Sequence, residues 1–378
     1  MICLRLKNEH FMSKTTKILA AFFLITDAAL ALPCSAANKT MIDYFLPMPI
    51  HGQLTTNTWG AAGVLPRDAL NGLEDPSLKQ WYYWDGKIIA GPDGKFHLFA
   101  SRWAQSKGHN GWWSSCAISA VSETPTGPYV DQGLLWPDNE AGKGHNVTAL
   151  TLPDGNYAVV VSETRPGDVF VSKSLDGSWK QIGSIKVAGE PDWHASNVSI
   201  MIRPDGRFEI IGRSGEIMIS NHGILGPYEI QGPGIYDAIA DFPHYNLEDP
   251  VIWYSGGLYH VTVNCWSERK AYLLTSPDGI RNWKNRGLAY DPQADFLRYT
   301  DGTVNHWNKI ERPNVFLQNG HVTYFTFAVI DVPKEQDPGN LPHGSKVIVV
   351  PFDGAALDRD LKSADDSAES TRAAPQSK

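Results

Sequence analysis

The chain has 378 residues, 42% of them hydrophobic and 20% charged, with a formal net charge of −8. Such a composition supports a well-buried core, and an acidic balance without a basic stripe excludes a nucleic-acid partner. No stretch has the uninterrupted apolar length of a membrane span, so no membrane anchor is expected.

In chain order, Lys14 and Lys17 precede an apolar run from Ile18 to Leu32, and the small residues Ser35-Ala36-Ala37 follow. This is the pattern of a secretory signal peptide over residues 1–37, with Met12 as an alternative start, and it predicts a cleaved, secreted or periplasmic product. Leu32-Pro33 lacks the small residue needed just before a lipidated Cys34. Cys116 and Cys265 remain after cleavage; they fall in units that are not neighbours and read as free thiols.

Five hairpins come next. They turn at Pro92-Asp93-Gly94 within Lys87–Ser101, at Pro153-Asp154-Gly155 within Val147–Ser162 and at Pro204-Asp205-Gly206 within Val198–Arg213. The last two turn at Ser255-Gly256-Gly257 within Val251–Val263 and at Gln318-Asn319-Gly320 within Val315–Val329. Apolar runs flanking an Asp-Gly-like turn are the strongest short-range hairpin signal. A second echo closes four of the units: Thr126-Gly-Pro-Tyr129, Leu175 to Trp179, Leu225-Gly-Pro-Tyr228 and Ser276 to Trp283. Repeats of roughly 50–60 residues, each several strands long, predict an all-β chain: a five-bladed β-propeller of four-stranded antiparallel blades around a central funnel, over residues 38–354. Beyond Gly354 the sequence turns polar and low in aromatics, so residues 355–378 read as a disordered tail. The 13 Trp residues suit two uses, packing between blades and forming platforms for sugar rings.

In a propeller the inner strands start around one mouth of the funnel. The polar residues at those starts are Asp85; His145 and Asn146; His194 and Asn197; Asn246, Glu248 and Asp249; and His306, Glu311 and Arg312. Strand alternation predicts that Glu248 and Asp249 do not both face the axis, and likewise His145 and Asn146, or Glu311 and Arg312. Asp249, before Pro250, suits a locally bonded strand start, leaving Glu248 as the axis-facing acid. Two carboxyls on non-adjacent blades fit glycosidic cleavage, in which one protonates the leaving oxygen and the other activates water or attacks the sugar carbon. Glu248 is the candidate acid and Asp85 the candidate base. His145, Asn146, His194, Asn197, His306, Arg312 and Trp103 are candidates to bind the sugar. Asp85 before Gly86 also suits a plain turn, and Glu248 also suits an ion pair with Arg312. No His-x-x-x-His or Cys-x-x-Cys spacing supports a catalytic metal, and no cofactor is required.

The layout resembles the five-bladed propeller glycosidases of glycoside hydrolase family 43 and its relatives, over roughly Trp81 to Asp353. Asp85 before Ile88-Ile89 looks like that family's base-bearing first inner strand, and Leu247-Glu248-Asp249-Pro250 like its general-acid motif. Two departures stand out: Gly86 follows the acid where the family usually has Pro, and Asn197 stands where a third-blade Asp would orient the proton donor. The resemblance implies a monomeric glycosidase acting on a plant or algal carbohydrate, exo-acting if Gln53–Lys79 and Leu288–Thr303 wall the funnel into a pocket. It also implies that a structural Ca²⁺ in the funnel is compatible with the fold. Two rivals fit the same residues. One is a polysaccharide lyase in which His145 or His194 takes a proton from a uronate held by Arg312. The other is a non-catalytic carbohydrate-binding propeller.

Overall fold

The computed structural model describes residues 39–56, 59–240, 242–339 and 342–373; the expected signal peptide lies outside them. Five antiparallel sheets follow one another along the chain. The first blade is β1 (Trp81–Ala90), β2 (Phe96–Ala104), β3 (Cys116–Ser122) and β4 (Val130–Leu134). The second is β5 (His145–Thr151), β6 (Tyr157–Ser162), β7 (Asp168–Ser172) and β8 (Lys180–Ser184). The third is β9 (Ser199–Ile202), β10 (Phe208–Ile211), β11 (Ile217–Ser220) and β12 (Glu229–Ile230). The fourth is β13 (Leu247–Ser255), β14 (Leu258–Cys265), β15 (Lys270–Ser276) and β16 (Lys284–Tyr290), and the fifth β17 (Lys309–Gln318), β18 (His321–Ile330) and β19 (Ser345–Pro351). The first strands β1, β5, β9, β13 and β17 adjoin one another in a closed cycle, which makes the molecule the expected five-bladed propeller. Each hairpin read from the sequence is the β1–β2 type pair of its blade. The second echo is the turn into each outermost strand, where the Tyr129 and Tyr228 hydroxyls donate to Pro125 O and Ile224 O at 2.9 Å.

The fifth sheet has three strands rather than four. Its outer edge is covered by the N-terminal segment. Leu73 and Val347 exchange both backbone hydrogen bonds, the Asn71 amide bonds both backbone groups of Val349, and Leu46 N donates to Pro351 O. An open edge is thereby removed, as closed sheet architectures require. The Gln53–Lys79 insertion therefore belongs to this closure rather than to the mouth of the funnel.

Apolar clusters fill every gap between neighbouring blades. Phe99, Trp136, Val147 and Phe170 join the first two blades, Val160, Ile200, Ile210 and Tyr228 the second and third, and Ile219, Ile252 and Val261 the third and fourth. Trp253, Leu273, Phe325 and Ile348 join the fourth and fifth, and Tyr83, Ile88, Leu98, Phe316 and Val349 close the ring. Both faces of the inner strands are buried, so those strands are largely apolar on both faces, while the outermost strands β4, β8 and β12 are exposed or half-buried. Most aromatics serve this packing.

One expectation is corrected. The tail predicted to be disordered begins as a helix, α1 (Gly354–Ala373), with Leu357 and Leu361 buried one turn apart. Its carboxylates tie it to the sheets and to the N-terminal segment. Asp358 accepts from Ser255 Oγ (3.0 Å) and contacts His321 Nδ1 (2.6 Å), Asp360 accepts from Tyr44 Oη (2.7 Å), and Asp365 pairs with Lys284 and Arg286. Composition alone hid the leucine spacing. Cys116 and Cys265 are free thiols, as read.

Candidate active site

The inner strands do not run as regular pleats at their starts. In β1, β5, β13 and β17 two residues oppose one on the neighbouring strand: Asp85-Gly86, Asn146-Val147, Asp249-Pro250 and Arg312-Pro313. These are bulges. The first residue of each has a left-handed backbone, with φ of 68° at Asp85, 51° at Asn146, 54° at Asp249 and 49° at Arg312; Asn197, just before β9, matches them at 44°. Asn and Asp tolerate this conformation better than other residues with a Cβ, which accounts for four of the five identities. Gly86 follows for a related reason: its φ of 139° is closed to proline, and a Cβ there would lie 2.7 Å from Val347 Cγ1. The departure from the family's Pro is thus a backbone requirement of the first blade.

The bulges overturn the alternation argument. Both members of each pair, His145 and Asn146, Glu248 and Asp249, Glu311 and Arg312, line one pocket of about 140 Å³ at this mouth. Asn197 lines it too. The second strand of each hairpin returns to the same mouth and adds Glu163, after β6, and Arg213, after β10. Trp84, His109 and Trp112 from the first blade and Lys334 from the β18–β19 connection complete the wall.

Three of the predicted site residues lie elsewhere. Trp103 is buried among Tyr82, Trp84 and His109 with its indole N–H bonded to Gly108 O at 2.9 Å, so it is core rather than a sugar platform. His194 is exposed with Nε2 against Glu163 O, and His306 pairs with Asp295 at 2.8 Å; both sit several residues before their strand starts, outside the wall. Arg102, next to Trp103, is not part of the pocket wall; it pairs with Asp131 and lies over the face of Trp81.

Asp85 also departs from the expected role. It is fully buried, is not part of the pocket wall, and its carboxylate accepts from Ser101 Oγ (2.7 Å), Val147 N (3.0 Å) and Arg312 Nε (2.9 Å). Arg312 bridges it to Asp249, donating from Nη1 at 3.0 Å and from its backbone N at 3.2 Å. Burial opposes the charge on Arg312, but Asp249 and Asp85 more than offset it and hold the guanidinium charged. This carboxylate–guanidinium–carboxylate unit explains why a long cationic side chain holds a left-handed position.

Glu248 is different. Its carboxyl is pushed up to about 8 by burial and by the neighbouring Asp249 and Glu311 charges, against the opposing pull of Lys334 and Arg213. Arg213 Nη2 lies 3.2 Å from Glu248 Oε2, and Lys334 is bonded to Glu311. Glu163 accepts from Ser196 Oγ (2.7 Å) and Asn197 N (2.8 Å), both on Oε1. His145 stacks on Trp112 with ring centroids 4.8 Å apart, has Nδ1 3.0 Å from Ser115 Oγ, and is held down to about 4 by burial. His109 is likewise held well below its ordinary range by burial and by the Lys334 charge.

Ligand oxygens of Glu248, Asp249 and Glu311 lie within 4.8 Å of one another, the arrangement a Ca²⁺ would need. Each of the three already has a protein cation: Arg213, Arg312 and Lys334 in turn. The donor set therefore does not fit a further dication. Arg312 and Lys334 are held by Asp249 and Glu311, so the carboxylate clamp that a lyase requires would fall to Arg213 alone. Among the described residues no helix is long and apolar enough to cross a membrane.

No family model matches the chain, and no curated protein matches it. Solved structures do. A family 117 glycoside hydrolase, Zg3597 from Zobellia galactanivorans, superposes with a TM-score of 0.51 at 15% identity, covering 75% of this chain and 88% of that one. A protein of unknown function from Dyadobacter fermentans gives 0.50 at 11% identity, covering 75% and 98%. A family 43 β-xylosidase/α-arabinofuranosidase from a compost microbial metagenome gives 0.49 at 14% identity, covering 74% and 94%. At these identities the likeness to the first two is one of fold; the propeller read from the repeats stands on the closed cycle of five sheets.

Proposed function

We propose that the protein is a glycoside hydrolase whose proton donor is Glu248 and whose second carboxylate is Glu163. The observation that carries this reading is a single small pocket on the propeller axis whose carboxyls have separated roles. One, Glu248, is pushed up to about 8 by burial and by the Asp249 and Glu311 charges; another, Glu163, takes both its backbone and side-chain donors on one oxygen and keeps the other clear of them. A pair of acids with divergent environments, on the second and fourth blades, is what acid/base cleavage of an acetal needs. The fold likeness to a family 117 glycoside hydrolase supports the same class.

Asp85 is assigned a positioning role, anchoring Arg312 and through it Asp249 beside the proton donor. Asn146, Asn197 and neutral His145 offer uncharged hydrogen-bonding groups at the floor. With Glu248 protonated, three wall carboxylates balance three wall cations, so a neutral sugar is the favoured ligand. The compact pocket favours removal of a terminal residue over cleavage within a chain. Export, proposed from the Lys14–Ala37 segment, is checked by the N-terminal sequence of the mature protein. The functional test is incubation of the wild-type protein and E163Q with neutral xylan, arabinan and galactan oligosaccharides. Release of monosaccharide by the wild type, lost in E163Q, is expected; equal release by both would sink the assignment of Glu163.

A further inference from the structure

Trp113 is the most exposed tryptophan, 65% accessible, on a molecule that buries most of its aromatics. Its position is not loose. It stacks on Trp112 with centroids 3.9 Å apart and planes 24° from parallel, and Trp112 in turn stacks on His145 in the pocket wall. The result is a three-ring pile running outward from the pocket.

The turn that carries the pile is pinned from below. Gly108 packs so tightly on the β18–β19 connection that a Cβ there would lie 2.1 Å from Asp337 O, and a Cβ on Gly339 would lie 2.5 Å from Gln105 O. Ser115 N donates to Trp112 O at 2.9 Å, and Lys107 Nζ donates to Ser114 Oγ at 2.8 Å. An indole held this rigidly in water loses little freedom when something lies on it, and that favours binding.

Resting on the hydrolase reading above, we infer that the stacked pair Trp112–Trp113 is the leaving-group subsite, with the open face of Trp113 receiving an uncharged pyranose next to the sugar that is cleaved. The pocket holds about one sugar unit, so the remainder of an oligosaccharide must leave across its rim. The pile is continuous with that rim. A pyranose face of axial C–H groups matches a flat indole, whereas a carboxylate or sulfate there would be desolvated without a partner.

The test compares two substrates that share the terminal sugar: the best oligosaccharide from the panel above and the corresponding glycosyl fluoride, whose leaving group has no ring. W113A is expected to lower kcat/KM on the oligosaccharide about tenfold more than on the fluoride, mainly through KM, with W113F largely restoring it. Equal losses on both substrates, or no loss on either, overturn the subsite. If the wild type hydrolyses nothing, the hydrolase reading fails, and the subsite is read separately from fluorescence titration with the same oligosaccharides. Saturable quenching that disappears in W113A upholds the sugar platform; no quenching by any of them overturns it.

Discussion

The two mouths of the propeller axis are built from the same five strands and share almost nothing else. Where the strands start, the wall carries Glu163, Glu248, Asp249, Glu311, Arg312 and Lys334; near the opposite end a depression is lined by Ile88, Leu150, Met201, Trp253 and Phe316. The one lysine there, Lys87, is lowered to about 8 by burial and donates Nζ to Val315 O at 2.9 Å. The difference lies in the backbone. Bulges at the starts turn consecutive residues toward one space, while the regular pleat beyond them sends alternate residues into the interfaces between blades. Chemistry is concentrated where the pleat breaks.

The sharpest way to break this contrast is at its acid. E248Q is expected to lose about a thousandfold in kcat with its circular dichroism unchanged, since general acids contribute roughly 10²–10⁴-fold. Because Glu248 acts in its protonated form, wild-type activity falls as pH rises through about 8. In E311Q a neighbouring negative charge is gone, so this alkaline limb of the pH–rate profile moves to lower pH; a limb that stays put removes Glu311 from the account. Next in size is D85N, which leaves the Arg312 unit short of one carboxylate. A loss of about 3 kcal/mol in urea unfolding is expected, as for breaking other buried ion pairs. A D85N protein of full stability but no activity would return the base to Asp85.

Smaller effects probe the bulges themselves. N146A meets the left-handed penalty of about 1–2 kcal/mol that N146G escapes, so the glycine variant should unfold at higher urea than the alanine one. At the other mouth, K87M is expected to leave kcat/KM unchanged and stability within about 1 kcal/mol, the ordinary range for a well-tolerated core replacement. A large activity loss in K87M would mean that the two mouths are not independent.

Much of this architecture is written in short-range signals. Asp-Gly and Asn-Gly turns between apolar runs locate the hairpins, and the strand starts locate His145, Asn146, Asn197, Glu248, Asp249, Glu311 and Arg312 correctly at one mouth. Period-two alternation then misleads, because an inserted residue resets the pleat and nothing in Glu248-Asp249-Pro250 alone announces a bulge. Glu163 and Arg213 were reachable by topology: an antiparallel hairpin that starts at a mouth also ends there. His109, Trp112 and Lys334 come from connections whose paths depend on packing between distant segments, such as Gly108 against Asp337. Asp85 shows the limit of matching by motif, since its position fits and its three donors leave it no freedom to serve as a base.

The seam between chain ends has a consequence for biogenesis. Asn71 and Val349 meet although they stand 278 positions apart in the chain. Blades one to four can mature while synthesis continues, yet the circle stays unlatched until the final strand emerges and captures a segment made long before. Ring completion is therefore the last assembly event, and deleting the segment around Leu73 or strand β19 should release an opened, sticky array of sheets rather than a smaller propeller.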